Sequence, residues 1–200
     1  MPLDFILRNA RLAHDAGRCV DIGVAQGRIA EIASAIASDA ASEEAGGRLV
    51  IAGFVDAHIH LDKSCILGRC RCEQGTLQEA IAEVAAAKRA FTEEDVYARG
   101  KHTLEKAILQ GTTRMRTHVE VDPRIGLRSF AAIRQLQRDY AWAIELEICV
   151  FPQEGLLNDP GTEELLIAAC ADGAEPAAGF TEAVTEVQPS FAASWLSIST

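Results

Sequence analysis

The stretch that decides the fold is Val50–Ser64, VIAGFVDAHIHLDKS. An apolar run climbs into His58-Ile59-His60 and then meets Asp62-Lys63. Side chains alternate between the two faces of an extended strand. His58 and His60 therefore share a face with Phe54 and Asp56, while the apolar Val55, Ala57, Ile59 and Leu61 take the other. Two surface histidines at this spacing need no metal. At the end of a strand expected to be buried, however, unpaired imidazoles are costly, and neutral imidazole is a common ligand of divalent metals. The metal reading is favoured.

Downstream the pattern alternates strand and helix. Thr76-x-x-Glu79 is a capping box opening an Ala-rich helix to about Ala90. Thr92-x-x-Asp95 opens a second, with Val96, Thr103, Leu104, Ala107 and Ile108 on its apolar face and Gly111 closing it. Thr113–Val121 reads as a strand with Met115, Thr117, Val119 and Val121 on one face and Arg114, Arg116, His118 and Glu120 on the other. A helix through Leu127, Phe130, Ile133, Leu136 and Tyr140 follows. Ile144–Phe151 is the next strand, with Glu147, Cys149, Phe151 and Gln153 on one face and Ile144, Leu146, Ile148 and Val150 on the other. Thr162 is read as the cap of a helix closed by Gly173. Strand–helix repeats of this kind imply right-handed βαβ units and a parallel sheet. A polar face turned to a lumen fits part of a (β/α)8 barrel, with its chemistry at the C-terminal strand ends. A doubly wound open sheet is the alternative, but no Gly-rich phosphate turn is present.

Upstream, residues 3–50 read as short strands with a Gln26-Gly27 turn, a small β unit, and Ala33–Gly47 as a loop. The expected organisation is a β segment over residues 1–50, barrel units over 51–173, and an atypical stretch over 174–200. A complete barrel takes about 250 residues, and a fourth strand is due near Ala174–Phe180. GAEPAAGF there has no β-branched run, so truncation or a shifted reading frame after about Ala174 is the expectation. No carboxylate beyond Gly173 (Glu175, Glu182, Glu186) falls in a readable strand.

The hydrophobic content of 48% supports a buried core, and a formal net charge of −10 argues against nucleic acid as a partner. No run is long enough to span a membrane and no signal-peptide pattern opens the chain, so a cytoplasmic protein is expected. Six cysteines without a secretory context are expected to be reduced. Cys65, Cys70 and Cys72 lie close in sequence, but their spacing matches no zinc pattern. The H-x-E and P-C-x-x-C signature of the zinc nucleobase deaminases is absent.

GFVDAHIHLDKS, together with RTHVEVDP (116–123) and VFPQEGLL (150–157), resembles the amidohydrolase superfamily, and in particular its cytosine deaminase-like branch, which includes deaminases of triazine-type rings. The resemblance runs over residues 3–172 and implies that the N-terminal β segment, residues 1–50, supplies part of a composite β-sandwich. It departs at Ala52, where the family usually has proline. What it implies is hydrolytic deamination of a cyclic amidine such as cytosine, with an N-isopropylammelide-type triazine amidohydrolase as the rival reading. An inactive fragment without catalysis is the alternative from another class. The resemblance makes His58 and His60 ligands of a divalent ion, iron or zinc. Gln153 becomes the residue that reads the heterocyclic substrate through paired hydrogen bonds. His118 and Asp62 are candidates for supporting the metal site, Asp62 by holding a histidine in its tautomer. The late-strand histidine, aspartate and catalytic glutamate of the family have no counterpart here, so the metal is expected to be weakly held. Arg116 and Glu154 are given no role, and His14 and His102 lie on a turn and a helix. The ring, the metal and any homo-oligomeric state stay open.

Overall fold

The computed structural model describes residues 2–176 apart from Cys72, Glu154, Leu157 and Asn158. Two compact units divide between Ala52 and Gly53.

The first unit is one mixed sheet. Strands β1 (Phe5–Leu12), β2 (Asp15–Ala25) and β3 (Arg28–Ala33) form an antiparallel meander, and β4 (Ala41–Glu44) and β5 (Leu49–Val50) both run parallel to β1. The Gln26-Gly27 turn has φ of 53° and 70°, the pair of positive values that a tight two-residue hairpin needs. Ala10, Val20, Ile22 and Ala45 form the small core. Asp21 accepts from the Asn9 and Ile36 N–H groups and from Arg8. The Asn9 amide above all holds its carboxyl below the ordinary range, against the effect of burial. The segment read as a loop contains β4. Its residues are all exposed, so backbone pairing with β1 makes the strand and no hydrophobic pattern marks it.

The second unit is a parallel sheet in the order β6 (Phe54–Ile59), β7 (Thr112–Glu120), β8 (Glu145–Phe151), β9 (Glu175–Pro176). Helices α1 (Leu77–Ala87), α2 (Glu93–Leu109), α3 (Arg128–Asp139) and α4 (Thr162–Ala171) lie between the strands in sequence. Thr76 and Thr92 cap α1 and α2 as expected, each accepting from the N–H three residues on. The Glu79 carboxylate also gathers the N–H groups of Glu73, Gln74 and Gly75. The apolar faces read for β7 and β8 are buried, with Met115, Val119, Val121, Ile144, Leu146, Ile148 and Val150 in one core with Val96, Leu104, Ile133, Leu136 and Leu166. This α/β arrangement carries its polar strand face on the side away from that core.

Three expectations change. The first barrel-type strand is not buried: Phe54 and Val55 are 56% and 66% exposed. β6 is the end strand of the described sheet and pairs with β7 alone. Thr162 is the first residue of α4 and not its cap; Gly161, at φ 96°, takes the cap position, and the Thr162 hydroxyl donates to the Asp159 carbonyl. Glu175 does sit in a strand, since β9 pairs Cys149 with Glu175 and Val150 with Pro176. Two residues with Pro carry too little β pattern to be seen in sequence. The rest of the atypical stretch, from Ala177 on, lies outside the described residues. No helix among the described residues is long and apolar enough to cross a membrane.

Helices α2 and α3 meet at Gly100, where a Cβ would come 2.8 Å from Leu136 Cδ1 and 3.2 Å from Ile133 Cδ1. Gly100→Leu is expected to overpack this contact and lower unfolding free energy by about 1–3 kcal/mol in urea titration. On α2, Asp95 takes a two-pronged contact from Arg69 (2.6 and 2.8 Å) and further bonds from Arg99. Arg69 above all, and then Arg99, pull its carboxyl from an ordinary 3.8 down to about 2. The folded-state value lies below the unfolded one, so this stabilisation is complete above about pH 4 and is lost as pH falls toward 2. Asp95→Asn is expected to cost about 1–2 kcal/mol at neutral pH and to flatten the loss of stability measured between pH 4 and 2.

Candidate active site

The site forms where β6 ends. β6 stops at Ile59, and a single 3-10 turn, Leu61–Lys63, carries the chain away. Three side chains hold that turn. The Thr117 hydroxyl, fully buried on β7, accepts from the Leu61 N–H at 3.1 Å. Asp62 Oδ2 accepts from the Glu120 N–H at 3.1 Å, so a side chain continues the β6–β7 ladder past the last strand residue. From α2, the Arg99 guanidinium donates to the Asp62 and Ser64 carbonyls at 2.9 and 2.7 Å and lies over the Phe91 ring, 4.4 Å from its centroid.

This fixes the placement of His58 and His60 and brings them to His118. The His58 and His118 rings are stacked with centroids 4.0 Å apart, and His60 lies 5.3 Å from His58 and 5.7 Å from His118. His60 Nδ1 and His118 Nδ1 are buried without a hydrogen-bond partner. Burial first, then Lys63 and the other two imidazoles, lowers His60 to about 4, and burial lowers His118 as well. Burial thus disfavours the protonated form of both rings, and each keeps a ring nitrogen without a partner. Among the described residues, however, no three His, Cys, Asp or Glu side chains converge as a metal would require. Near-parallel stacking of His58 on His118 turns their nitrogens alongside each other and not toward a shared point.

Beside His60 is a cavity of about 220 Å³, lined also by Lys63, Val84, Lys88, Glu120 and Gln153. Gln153 thus shares a space with His60, and its Oε1 accepts from Lys63 Nζ at 3.3 Å. Asp62 does not do what was expected of it. Its Oδ2 is taken by the β7 backbone, its Oδ1 has no partner, and no hydrogen bond joins it to a histidine among the described residues. Full burial pushes its carboxyl up to about 6. Arg116 pairs with Glu147 and Glu175 on the neighbouring strands. Cys65 is exposed and Cys70 partly so; Cys72 and Glu154 lie outside the described residues.

Sequence reasoning missed the charged floor of the cavity. Lys88, in the 3-10 turn after α1, is 1% exposed and pairs with Glu120 and, at 2.5 Å, with Asp122. Lys63 pairs with the other Glu120 oxygen at 2.7 Å. Burial pushes the Glu120 carboxyl up, opposed by both lysines. Burial also pushes Asp122 up, but Lys88 and the Ile125 and Arg124 N–H groups outweigh it and hold its carboxyl below the usual range. Glu120 and Asp122 continue the polar face of β7, and nothing in that alternation marks either acid as buried.

The Amidohydrolase family matches residues 43–192, and the chain belongs to that family, whose members are hydrolases acting on carbon–nitrogen bonds. It is 30% identical over 192 residues to the N-isopropylammelide isopropyl amidohydrolase of Pseudomonas sp. (strain ADP), covering 92% of this chain and 47% of that protein. The structure of the N-isopropylammelide isopropylaminohydrolase of Burkholderia multivorans superposes with a TM-score of 0.73 at 32% identity, over 87% of this chain and 44% of that one. The 5-methylcytosine deaminase of Klebsiella pneumoniae liganded with 5-fluorocytosine superposes with a TM-score of 0.75 at 33% identity, over 84% of this chain and 41% of that one. The chain spans under half the length of these relatives.

Removing Lys88 leaves two buried carboxylates short of a counter-charge, a loss of about 3–5 kcal/mol. Lys88→Met is expected to show this in chemical denaturation. The same change in a Glu120→Gln/Asp122→Asn background is expected to cost much less, which isolates the charge from the packing.

Proposed function

We propose that this chain carries part of the active site of a metal-dependent amidohydrolase that removes an amino substituent from a neutral nitrogen heterocycle by hydrolysis. Its parallel sheet is read as the first units of a (β/α)8 barrel, and its first unit as part of a β-sandwich. The observation that carries the reading is the meeting of His58, His60 and His118, the last two each with an unpartnered ring nitrogen, where His60 borders a cavity that also holds Gln153.

The donor set fits a divalent cation in kind: clustered imidazoles, with unpartnered nitrogens on His60 and His118. His58 and His60 would hold the ion, with His118 supporting His58 through ring contact. Such an ion supplies a Lewis acid that makes water nucleophilic near neutral pH. Zinc and iron are the candidates. The chain's own residues bind and orient. The Gln153 amide meets the edge of the ring. Phe151, whose ring centroid is 5.3 Å from that of His60, walls the space next to it. Lys63 and Lys88, which line the cavity, are each paired with carboxylates of Glu120 and Asp122, which weakens their pull on an anion. A flat neutral ring suits such a floor better than an anion does.

Two leaving groups remain in play. A ring amine, as in cytosine, is favoured by the likeness to the 5-methylcytosine deaminase, and an N-alkylamine by the likeness to the N-isopropylammelide hydrolases. Metal-free protein titrated with Zn²⁺ is expected to take up the ion, and the His58→Ala/His60→Ala protein to lose that uptake. Equal uptake by both proteins would overturn the assignment. Ammonia release from cytosine against isopropylamine release from N-isopropylammelide, assayed on the metal-loaded protein, decides the ring.

A further inference from the structure

The reading of Gln153 leaves open which end of its amide meets a ligand. An amide can turn over, and its oxygen and nitrogen exchange places at almost no cost unless a neighbour selects one. Lys63 is such a neighbour. Its Nζ lies 3.3 Å from the Gln153 oxygen, and an ammonium group can only donate. With the amide reversed, the –NH2 group would face an ammonium, donor against donor, beside a positive charge.

Lys63 is itself held from three sides. Its side chain is 12% exposed and pairs with Glu120 Oε2 at 2.7 Å. Its Nζ lies 5.0 Å from the centroid of the Phe151 ring, a favourable cation–π distance. Its backbone stands in the turn that Arg99 clamps through the Asp62 and Ser64 carbonyls. Glu120 cannot draw the ammonium away, because its other oxygen is occupied by Lys88.

We infer that Lys63 is a positioning residue that fixes the Gln153 amide with its –NH2 group free for a ligand in the cavity. The group that meets that –NH2 is then an acceptor, a ring carbonyl or an unprotonated ring nitrogen. The chemical class is a lactam or cyclic urea edge; a ring that offers only donors on that edge is refused. This rests on the reading that Gln153 faces the substrate, but the orientation itself can be measured without a substrate.

The experiment is ¹⁵N NMR of the full 200-residue chain, with the Gln153 side-chain –NH2 pair assigned by its loss in Gln153→Glu. In the unsubstituted protein the pair is expected away from the free-glutamine position, with NOEs to side chains lining the cavity and none to the Lys63 ε-methylene. Lys63→Met is expected to return the pair toward the free-glutamine position, and Lys63→Arg, which also only donates, to keep it. NOEs from the –NH2 protons to the Lys63 ε-methylene would overturn the orientation, and they need no variant that must fold. An unchanged pair in folded Lys63→Met would overturn the role of Lys63. Added cytosine tests the underlying reading separately: a locked pair that cytosine does not shift would remove Gln153 from substrate contact while leaving the locking intact.

Discussion

Glu120 is the residue on which the second unit turns. Its carboxylate is shared between Lys63 and Lys88, and its backbone N–H is taken by Asp62. One position on β7 thereby ties down the turn after β6 and the end of α1. Ion pairs this deep repay their desolvation only when each charge has good partners, and Asp122 supplies the second acid that two lysines need. The arrangement is costly as a source of stability alone, where apolar residues of the same size would serve. What it provides is position: Lys63 cannot wander, and the turn that follows the histidine strand has one shape.

That constraint explains how an end strand can carry precise chemistry. β6 has a single neighbour in the described sheet and exposes Phe54 and Val55, so packing on its two faces does little to hold His58 and His60. Its far end is fixed by groups outside the strand: the Thr117 hydroxyl on the Leu61 N–H, Asp62 on the β7 backbone, and Arg99 on two carbonyls. The Arg99 side chain is in turn held by Asp95, which Arg69 also grips. A line of contacts thus runs from Arg69 through Asp95 and Arg99 to the turn that follows the histidines, and its last links satisfy the Asp62 and Ser64 carbonyls.

The sequence was most legible where one local rule governed both faces of an element. The apolar faces of β7 and β8 are buried as alternation picks them out, because both strands pack on helices on that side, although Glu120 and Cys149 on the other face are buried too. The caps at Thr76 and Thr92 were legible because capping is settled within four residues. β6 misled because the same alternation was read without knowing that the strand stands at the end of the sheet. β4 was invisible because it is exposed throughout, and β9 because two residues carry no period. In the site, the histidines and Gln153 stood out by motif, and the structure brings His60 and Gln153 to one cavity. The pairing of Lys88 with Glu120 did not stand out, since thirty-two positions separate them and nothing local requires either to be buried. Asp62 was given a histidine partner on chemical grounds, whereas the unpaired Glu120 N–H beyond the end of β6 made a stronger demand on it.

The geometry of the imidazoles bears on how a metal would be held. His58 and His60, two residues apart on one strand face, are natural neighbours in any ligand set. A catalytic zinc site normally uses three protein ligands and one open position. His118 is near enough to count among them, but its ring lies flat against His58 at an interplanar angle of 20°. Stacked rings offer their nitrogens in parallel, and a shared ion would require one ring to turn about its χ angles. His118 Nδ1 has no hydrogen bond to lose in such a turn, whereas the ring contact with His58 would go. In its present place His118 limits the angles that the His58 ring can take.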